Sequence, residues 1–321
     1  MASDLLDLMI CHIPGLKGDE RIELVKKFDR EEDFLLLSRR DIEILVGKPL
    51  GDWTMQEIRV LAEKDFSLAM KLGIQRLSWR DKNYPPLVRE IFDPPALLFY
   101  RGTLPDPEKP LVAVVGTRRP SQAASARAFA LGRELGEAGI SVVSGLALGI
   151  DTLAHRGNIE GKGATVAVLG SGVDQVYPST NRALARRILE TGGLILSEYP
   201  PYTKPYKWNF PARNRIISAL ARGTVIVEAP EKSGALITAG FALEQGRDLW
   251  VERAGVSSHR GGGTARLAED GARIISSAGD ILAEWKIVQN EGKFPGEEKE
   301  AARNSGAGLA SSLAEYLDIK L

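Results

Sequence analysis

From residue 111 onward the chain alternates short apolar runs with amphipathic stretches, and this alternation narrows the possible fold more than any other feature. Residues 111–116, 140–145 and 164–170 are near-continuous aliphatic and β-branched runs that each close on a glycine. Residues 193–198, 224–228 and 249–251 are further runs of the same kind. Between them, residues 121–138, 150–160 and 179–190 carry helical spacing. Strands apolar on both faces need cover on both faces, and parallel neighbours need a crossover, usually a helix. The spacing therefore predicts an α/β fold, with an extended Rossmann-like, doubly wound, mainly parallel sheet over residues 111–284.

Residues 1–70 lack strand signals. Segments 21–28 and 41–46 have helical spacing and predict a small all-α domain ahead of the sheet. Ile13-Pro14-Gly15-Leu16-Lys17-Gly18 breaks two such segments. It reads as a plain helix–helix turn or as a helix-hairpin-helix whose backbone N–H groups meet a phosphate. Residues 71–110 contain Pro85-Pro86 and Pro94-Pro95 and predict an extended connection packed on the core. Residues 285–321 turn polar. They read as a linker and short tail, with no full winged-helix domain expected.

Lys plus Arg and Asp plus Glu balance at 42 each, so any affinity for a polyanion has to be local. Two stretches qualify. Residues 112–133 hold Arg118, Arg119, Arg127 and Arg133 without an acid. Between Tyr199 and Val227, Lys204, Lys207, Arg213, Arg215 and Arg222 occur, again without one. Cys11 is the single cysteine, which excludes an intramolecular disulfide and suits a reducing cytoplasm. The N-terminus carries acids rather than the basic start of a secretory signal. No run of about 18 apolar residues predicts a membrane span. With one cysteine and three histidines, no metal site is expected.

In an open parallel sheet, ligands bind beyond the C-terminal strand ends, near the point where strand order reverses. Gly116-Thr117-Arg118-Arg119-Pro120-Ser121 falls at such an end and predicts a phosphate loop. Gly116 and Thr117 give backbone access, Ser121 suits a helix cap, and Arg118 reaches an anion at the helix start. The loop lacks G-x-G-x-x-G, so no dinucleotide cofactor is expected. After the next strand, Asp151 either caps its helix or holds His155, four residues on. Ser171 and Gly172 present a hydroxyl and a backbone amide to phosphate oxygens. Ser233-Gly234 and Gly261-Gly262-Gly263-Thr264 add small-residue loops. The segment from Trp208 to Ser218 puts rings, cations and an asparagine at a helix start, as a phosphate-bearing chain with stackable bases needs. No catalytic triad or pair of carboxylates is evident, which points to binding more than turnover.

These motifs form an ordered set. Tyr84-Pro85, Asp93-Pro94-Pro95 with Leu98-Phe99-Tyr100-Arg101-Gly102, Gly116-Thr117-Arg118, and Ser144-Gly145-Leu146-Ala147-Leu148-Gly149-Ile150-Asp151 come first. Gly170-Ser171-Gly172-Val173-Asp174, Ser197-Glu198-Tyr199-Pro200, Asn209-Phe210-Pro211 with Arg213-Asn214-Arg215, and Ser233-Gly234 with Thr238-Ala239 follow. In this order they resemble the DNA-processing protein A (DprA/Smf) family over about residues 74–280, and residues 1–70 resemble its SAM-like domain more loosely.

The resemblance implies a protein of natural transformation that binds and protects incoming single-stranded DNA and loads the RecA recombinase onto it. It implies a homodimer formed through the Rossmann domain, with no catalysis and no cofactor. It carries DNA contact over to Arg118, Lys207 and Phe210. Arg213, Asn214 and Arg215 fall in the matching motif as phosphate contacts or pocket-shaping residues. The alternative is a nucleotide-binding enzyme of the lysine-decarboxylase-like phosphoribohydrolase type. Its Pro-Gly-Gly-x-Gly-Thr loop finds only partial counterparts at 233–238 and 261–264.

Overall fold

The computed structural model describes residues 2–287. The chain divides into two compact units, Met1–Ala278 and a second that starts at Gly279. The first begins with helices α1 (Ala2–His12), α2 (Gly18–Lys27), α3 (Glu31–Leu35), α4 (Arg39–Val46) and α5 (Met55–Lys71). Ser38 and Thr54 start α4 and α5 through reciprocal caps. Each side chain accepts the N–H three residues on, and Asp41 and Glu57 accept the N–H of the capping residue in return.

Strand β1 (Gln75–Ser78), helix α6 (Pro86–Arg89) and strand β2 (Leu97–Gly102) come next. The alternating part follows as β3 (Leu111–Val115), α7 (Gln122–Glu137), β4 (Ser141–Ser144), α8 (Ile150–Glu160), β5 (Val166–Val168), α9 (Arg182–Glu190), β6 (Leu194–Ser197), α10 (Asn209–Leu220), β7 (Gly223–Ile226), α11 (Gly234–Glu244) and β8 (Asp248–Glu252). Then come α12 (Arg253–Val256), α13 (Gly262–Glu269), β9 (Arg273–Ile275) and α14 (Ala278–Trp285). The polar tail expected over 285–321 lies, from residue 288, outside the described residues.

Among the described residues the strands form one nine-stranded sheet in the order β1-β2-β6-β5-β4-β3-β7-β8-β9. Strands β3 to β9 run parallel, β2 lies antiparallel against β6, and β1 antiparallel against β2. The expected doubly wound, mainly parallel α/β architecture is therefore present. The stretch read as an extended connection differs, because it contributes two strands. The prolines stand outside both of them, so every strand N–H remains available to the ladder.

Strand order reverses between β3 and β7. The chain steps outward through β4, β5 and β6, then returns to the other side of β3. The loops leaving β3 and β7 consequently diverge and open a crevice.

Side-chain alternation along β2 shows how the sheet is covered. Leu97 and Phe99 join a cluster with Met9, Ile10 and Phe34 of the first helices and Ile188 of α9. Leu98 and Tyr100 face the other way and join Val115, Ile226, Val251 and the α10 pair Ile216-Ile217. The first five helices thus share a core with the sheet.

Helices α7 and α8 pack backbone to backbone along four glycines. A Cβ at Gly157 would lie 2.0 Å from the Phe129 carbonyl oxygen, and one at Gly132 would lie 2.3 Å from that of Ala154. Gly136 and Gly161 meet Asn158 O and Arg133 O at 2.6 and 2.2 Å in the same way. No side chain fits at these points without separating the helices. Gly157→Ala is expected to destabilise the protein by about 1–3 kcal/mol, read as a lower midpoint in urea unfolding. An unchanged midpoint would contradict the close approach.

Candidate functional site

The crevice is a groove of about 1420 Å³ at the C-terminal edge of the sheet. Its walls are the loop after β3, the start of α10, the loop between β7 and α11, and the loop after β8. Arg118, Arg119, Lys207, Lys232 and Arg260 all line it and all are exposed. No carboxylate lies within ion-pair distance of any of them among the described residues.

The loop after β3 is held from below. Thr117 N–H donates to Glu228 O (2.7 Å), and Ser121 N–H donates to the Glu228 carboxylate (2.7 Å). Thr117 O in turn accepts from Ile150 N–H at 3.2 Å. Gly149, with φ +79°, lets α8 start this close, since a Cβ there would sit 2.5 Å from Thr117 O. Ser121 Oγ accepts from Ala124 N–H and so caps α7 (3.2 Å). Gly116, Thr117 and Arg118 remain on the groove wall, whereas Ser121 acts as a cap.

The basic segment forms the first turns of α10 rather than a lead-in to it. Pro211 is tolerated there because its missing N–H falls where a helix has no internal acceptor. Asn209 Nδ2 donates to Gly170 O at 3.0 Å and pins the helix start to the β5 loop. Phe210 then turns into the groove, its ring centroid 5.6 Å from that of Tyr177 and 5.8 Å from the Arg118 guanidinium. Asn214 also lines the groove, and its amide reaches Gly234 O at the start of α11 (3.3 Å).

Of the two roles expected for Arg213 and Arg215, phosphate contact or pocket shaping, their burial favours the second. Arg213 is 5% exposed, and its Nη1 donates to Gly145 O (2.9 Å) and to Val168 O, the ends of β4 and β5. Burial lowers its pKa to about 10, with nearby Asp151 pulling the other way, so it stays cationic at neutral pH. Arg215 is likewise buried. It forms a forked pair with the Glu198 carboxylate and a second ion pair with Asp93 at 3.0 Å. Burial works against the Arg215 charge, but Glu198 and Asp93 outweigh it and hold the cation on.

Ser171 and Gly172 are also occupied internally. Ser171 Oγ donates to Gln175 O (2.6 Å), and Gly172 N–H donates to Thr203 O (2.9 Å). Gly172 ties its loop to the one that carries Lys207, Ser171 closes its own turn, and neither lines the groove.

Two buried titratable groups lie at or behind the wall, Asp151 in its lining and His155 beneath it. Asp151 Oδ2 accepts from Gly145 and Ala147 N–H at 3.1 and 3.3 Å, so it closes its own loop rather than holding His155. Burial raises its pKa, and Arg213 opposes that rise. His155 is fully buried, with Nδ1 2.7 Å from Thr165 Oγ1. The Thr165 hydroxyl hydrogen is committed to Val142 O, so His155 Nδ1 is the donor. Burial, then Arg213, push the imidazole pKa down to about 3. The ring is neutral and internal.

The structure thus brings Gly116, Thr117, Arg118, Lys207, Phe210, Asn214 and the buried Arg213 together around one groove. It adds Lys232, His259 and Arg260 on the far wall, which sequence reasoning missed. The only signal was their place just before or after small-residue loops at strand ends. No group of three or more His, Cys, Asp or Glu side chains arranged to hold a metal ion occurs among the described residues.

A family model described as DNA recombination-mediator protein A matches residues 75–286. The chain is similar to the DNA processing protein DprA of Bacillus subtilis (strain 168), 41% identical over 213 residues, which are 66% of this chain and 71% of that protein. Among solved structures, the X-ray structure of DNA processing protein A from Streptococcus pneumoniae superposes with a TM-score of 0.73 at 34% identity, covering 88% of this chain and 98% of that one. DNA processing protein A from Helicobacter pylori, solved for its unique single-stranded DNA binding mode, gives a TM-score of 0.58 at 31% identity over 66% of this chain and 95% of that one.

The buried groups generate two expectations. Arg215→Met leaves Glu198 and Asp93 facing each other without a cation and should cost about 2–4 kcal/mol in urea unfolding, against under about 0.5 for Lys207→Ala. His155 has a folded pKa below its unfolded value near 6.5, so its contribution is full above that pH and is lost on acidification toward the folded value. From pH 7 to 5 the wild type should lose about 2 kcal/mol more stability than His155→Gln. Parallel pH profiles would contradict the buried neutral ring.

Proposed function

The chain belongs to the DNA recombination-mediator protein A family, and from that premise we propose that its groove binds single-stranded DNA without regard to sequence. The observation that carries the reading is the set of unpaired cations on opposite groove walls, with the Phe210 and Tyr177 rings between them. Arg118 and Lys207 neutralise phosphates, and Phe210 offers a face on which a base stacks, worth about 1–3 kcal/mol. Gly116 lets the loop after β3 lie close to α8, since a Cβ there would sit 2.6 Å from Ile150 Cγ1 and 2.9 Å from Glu228 O. Lys232 and Arg260 extend the electrostatic path across the groove. None of these contacts reads a base edge, so affinity depends on salt and chain length rather than sequence. The H. pylori protein described for single-stranded DNA binding is similar to this chain, which supports the assignment.

The likeness to the family extends the proposal to a cytoplasmic DNA-processing role in transformation, with protection of incoming strands and their transfer to RecA. Self-association has a physical basis in α11. Leu236, Ile237, Phe241 and Leu243 are all incompletely buried, Ile237 and Leu243 being 43% and 60% exposed, and a Cβ at Gly240 would meet open space. A binding role without turnover also fits the acids nearest the groove. Asp151 is engaged by two backbone N–H groups, and Glu231 lies exposed at the rim.

Arg118→Ala and Lys207→Ala should each fold normally and bind a single-stranded oligonucleotide about tenfold more weakly. Each should also reduce the slope of log affinity against log salt by about 0.7. Unchanged affinity in both would refute the groove assignment. Leu243→Glu should shift the sedimenting species toward monomer if α11 carries self-association. Incubation with nucleoside monophosphates should release no free base, and release would favour the phosphoribohydrolase reading.

A further inference from the structure

The sequence offers Phe210 and Trp208 as interchangeable rings, but the structure separates them. Phe210 lines the groove. Trp208 stands outside it, stacked on Tyr206 with centroids 4.9 Å apart and ring planes 4° from parallel. Lys207, between them in sequence, lines the groove. The pair is strongly exposed, Trp208 at 70% and Tyr206 at 45%. Two large rings that cover only one face of each other leave their outer faces to water, an unfavourable arrangement unless something else stacks there.

The pair is also held in place. Asn209 N–H donates to Tyr206 O (3.0 Å) and folds the loop so that both rings point the same way. Tyr206 N–H donates to Lys204 O (2.9 Å), and Gly172 N–H anchors Thr203 O to the β5 loop (2.9 Å). Lys204 and Lys207 flank the rings, and residues 200–226 contain no acid that would repel a phosphate.

We propose that the Tyr206–Trp208 stack is a second base-binding platform, which takes a nucleobase of the strand where it leaves the groove past Lys207. The platform rests on the reading of the groove as a single-stranded DNA site. It adds a subsite outside that groove and makes affinity depend on bases beyond those the groove holds. A flat exposed aromatic stack between cations suits a base attached to a phosphate backbone, whereas a protein partner would call for a broader apolar surface.

The test compares an oligothymidylate of about 15 nucleotides with an abasic sugar–phosphate chain of equal length. Each is titrated into the full-length protein and its Trp208→Ala, Trp208→Phe and Arg118→Ala variants over a salt series. Trp208→Ala should bind the oligothymidylate about tenfold more weakly, bind the abasic chain as the wild type does, and keep the wild-type salt slope. Trp208→Phe should recover most of the loss. Oligothymidylate should quench tryptophan emission in the wild type but much less in Trp208→Phe, since the other tryptophans are at most partly exposed. An equal loss on both ligands, or no loss on either, overturns the platform. So does a change confined to the sedimentation of Trp208→Ala, which would make the rings a protein contact. Arg118→Ala separates the two readings. If it weakens binding to both chains while Trp208→Ala weakens neither, the platform alone falls. If neither it nor Lys207→Ala weakens binding to either chain, the groove assignment falls with it.

Discussion

The guanidinium of Arg213, closed off from water and shared between the carbonyls that end β4 and β5, sets the geometry of the groove. A buried cation tolerates few positions, because every donor needs an acceptor and every displacement exposes an uncompensated charge. Gly145 lacks a side chain where one would strike Arg213 Nη2 at 2.6 Å. Asp151 closes the same loop and supplies the opposing charge. Once Arg213 is seated, the start of α10 has one position against the sheet. Phe210 then faces the groove, and the loop before it carries Lys207 to the wall. Arg215, paired with Glu198 and Asp93, ties the same helix to the β6 end and to the chain entering β2.

Net charge hides this division of labour. Acids and bases balance over the whole chain, yet the bases in and around the groove separate into two sets. One is buried and paired, as in Arg213 and Arg215. The other is exposed and unpaired around a single crevice. Only the second can exchange its counterions for phosphate, which is why local cation density says little until burial is known.

Much of the architecture was legible because parallel strands covered on both faces leave long apolar runs with glycine at their ends, as at 111–116 and 140–145. The loops at those ends were legible for the same reason, and Arg118, Lys207 and Phe210 do meet around one groove. Arg213 and Arg215 left two roles open because composition cannot distinguish a guanidinium turned inward from one turned out. Ser171 looked like a phosphate ligand, since a hydroxyl that bonds Gln175 O reads the same in sequence as one awaiting a ligand. Strands β1 and β2 escaped notice because they are antiparallel and the two proline pairs between them dominate the local signal. Lys232 and Arg260 reach the groove only through the return of the chain across β3, a long-range fact that no local pattern contains.

The glycine seam between α7 and α8 has a consequence for how the site meets its ligand. Two helices in backbone contact at Gly132, Gly136, Gly157 and Gly161 cannot shift independently. The loop that enters α7 carries Arg118, and the loop that enters α8 braces it through Ile150 N–H. The helix pair therefore behaves as a plate with both loops mounted on one edge. A ligand arriving there finds one wall already ordered, so little conformational entropy is lost on association at that wall. On the proposed reading, the adaptable partner in the encounter is then the single strand, a flexible polymer that shapes itself to a surface prepared in advance.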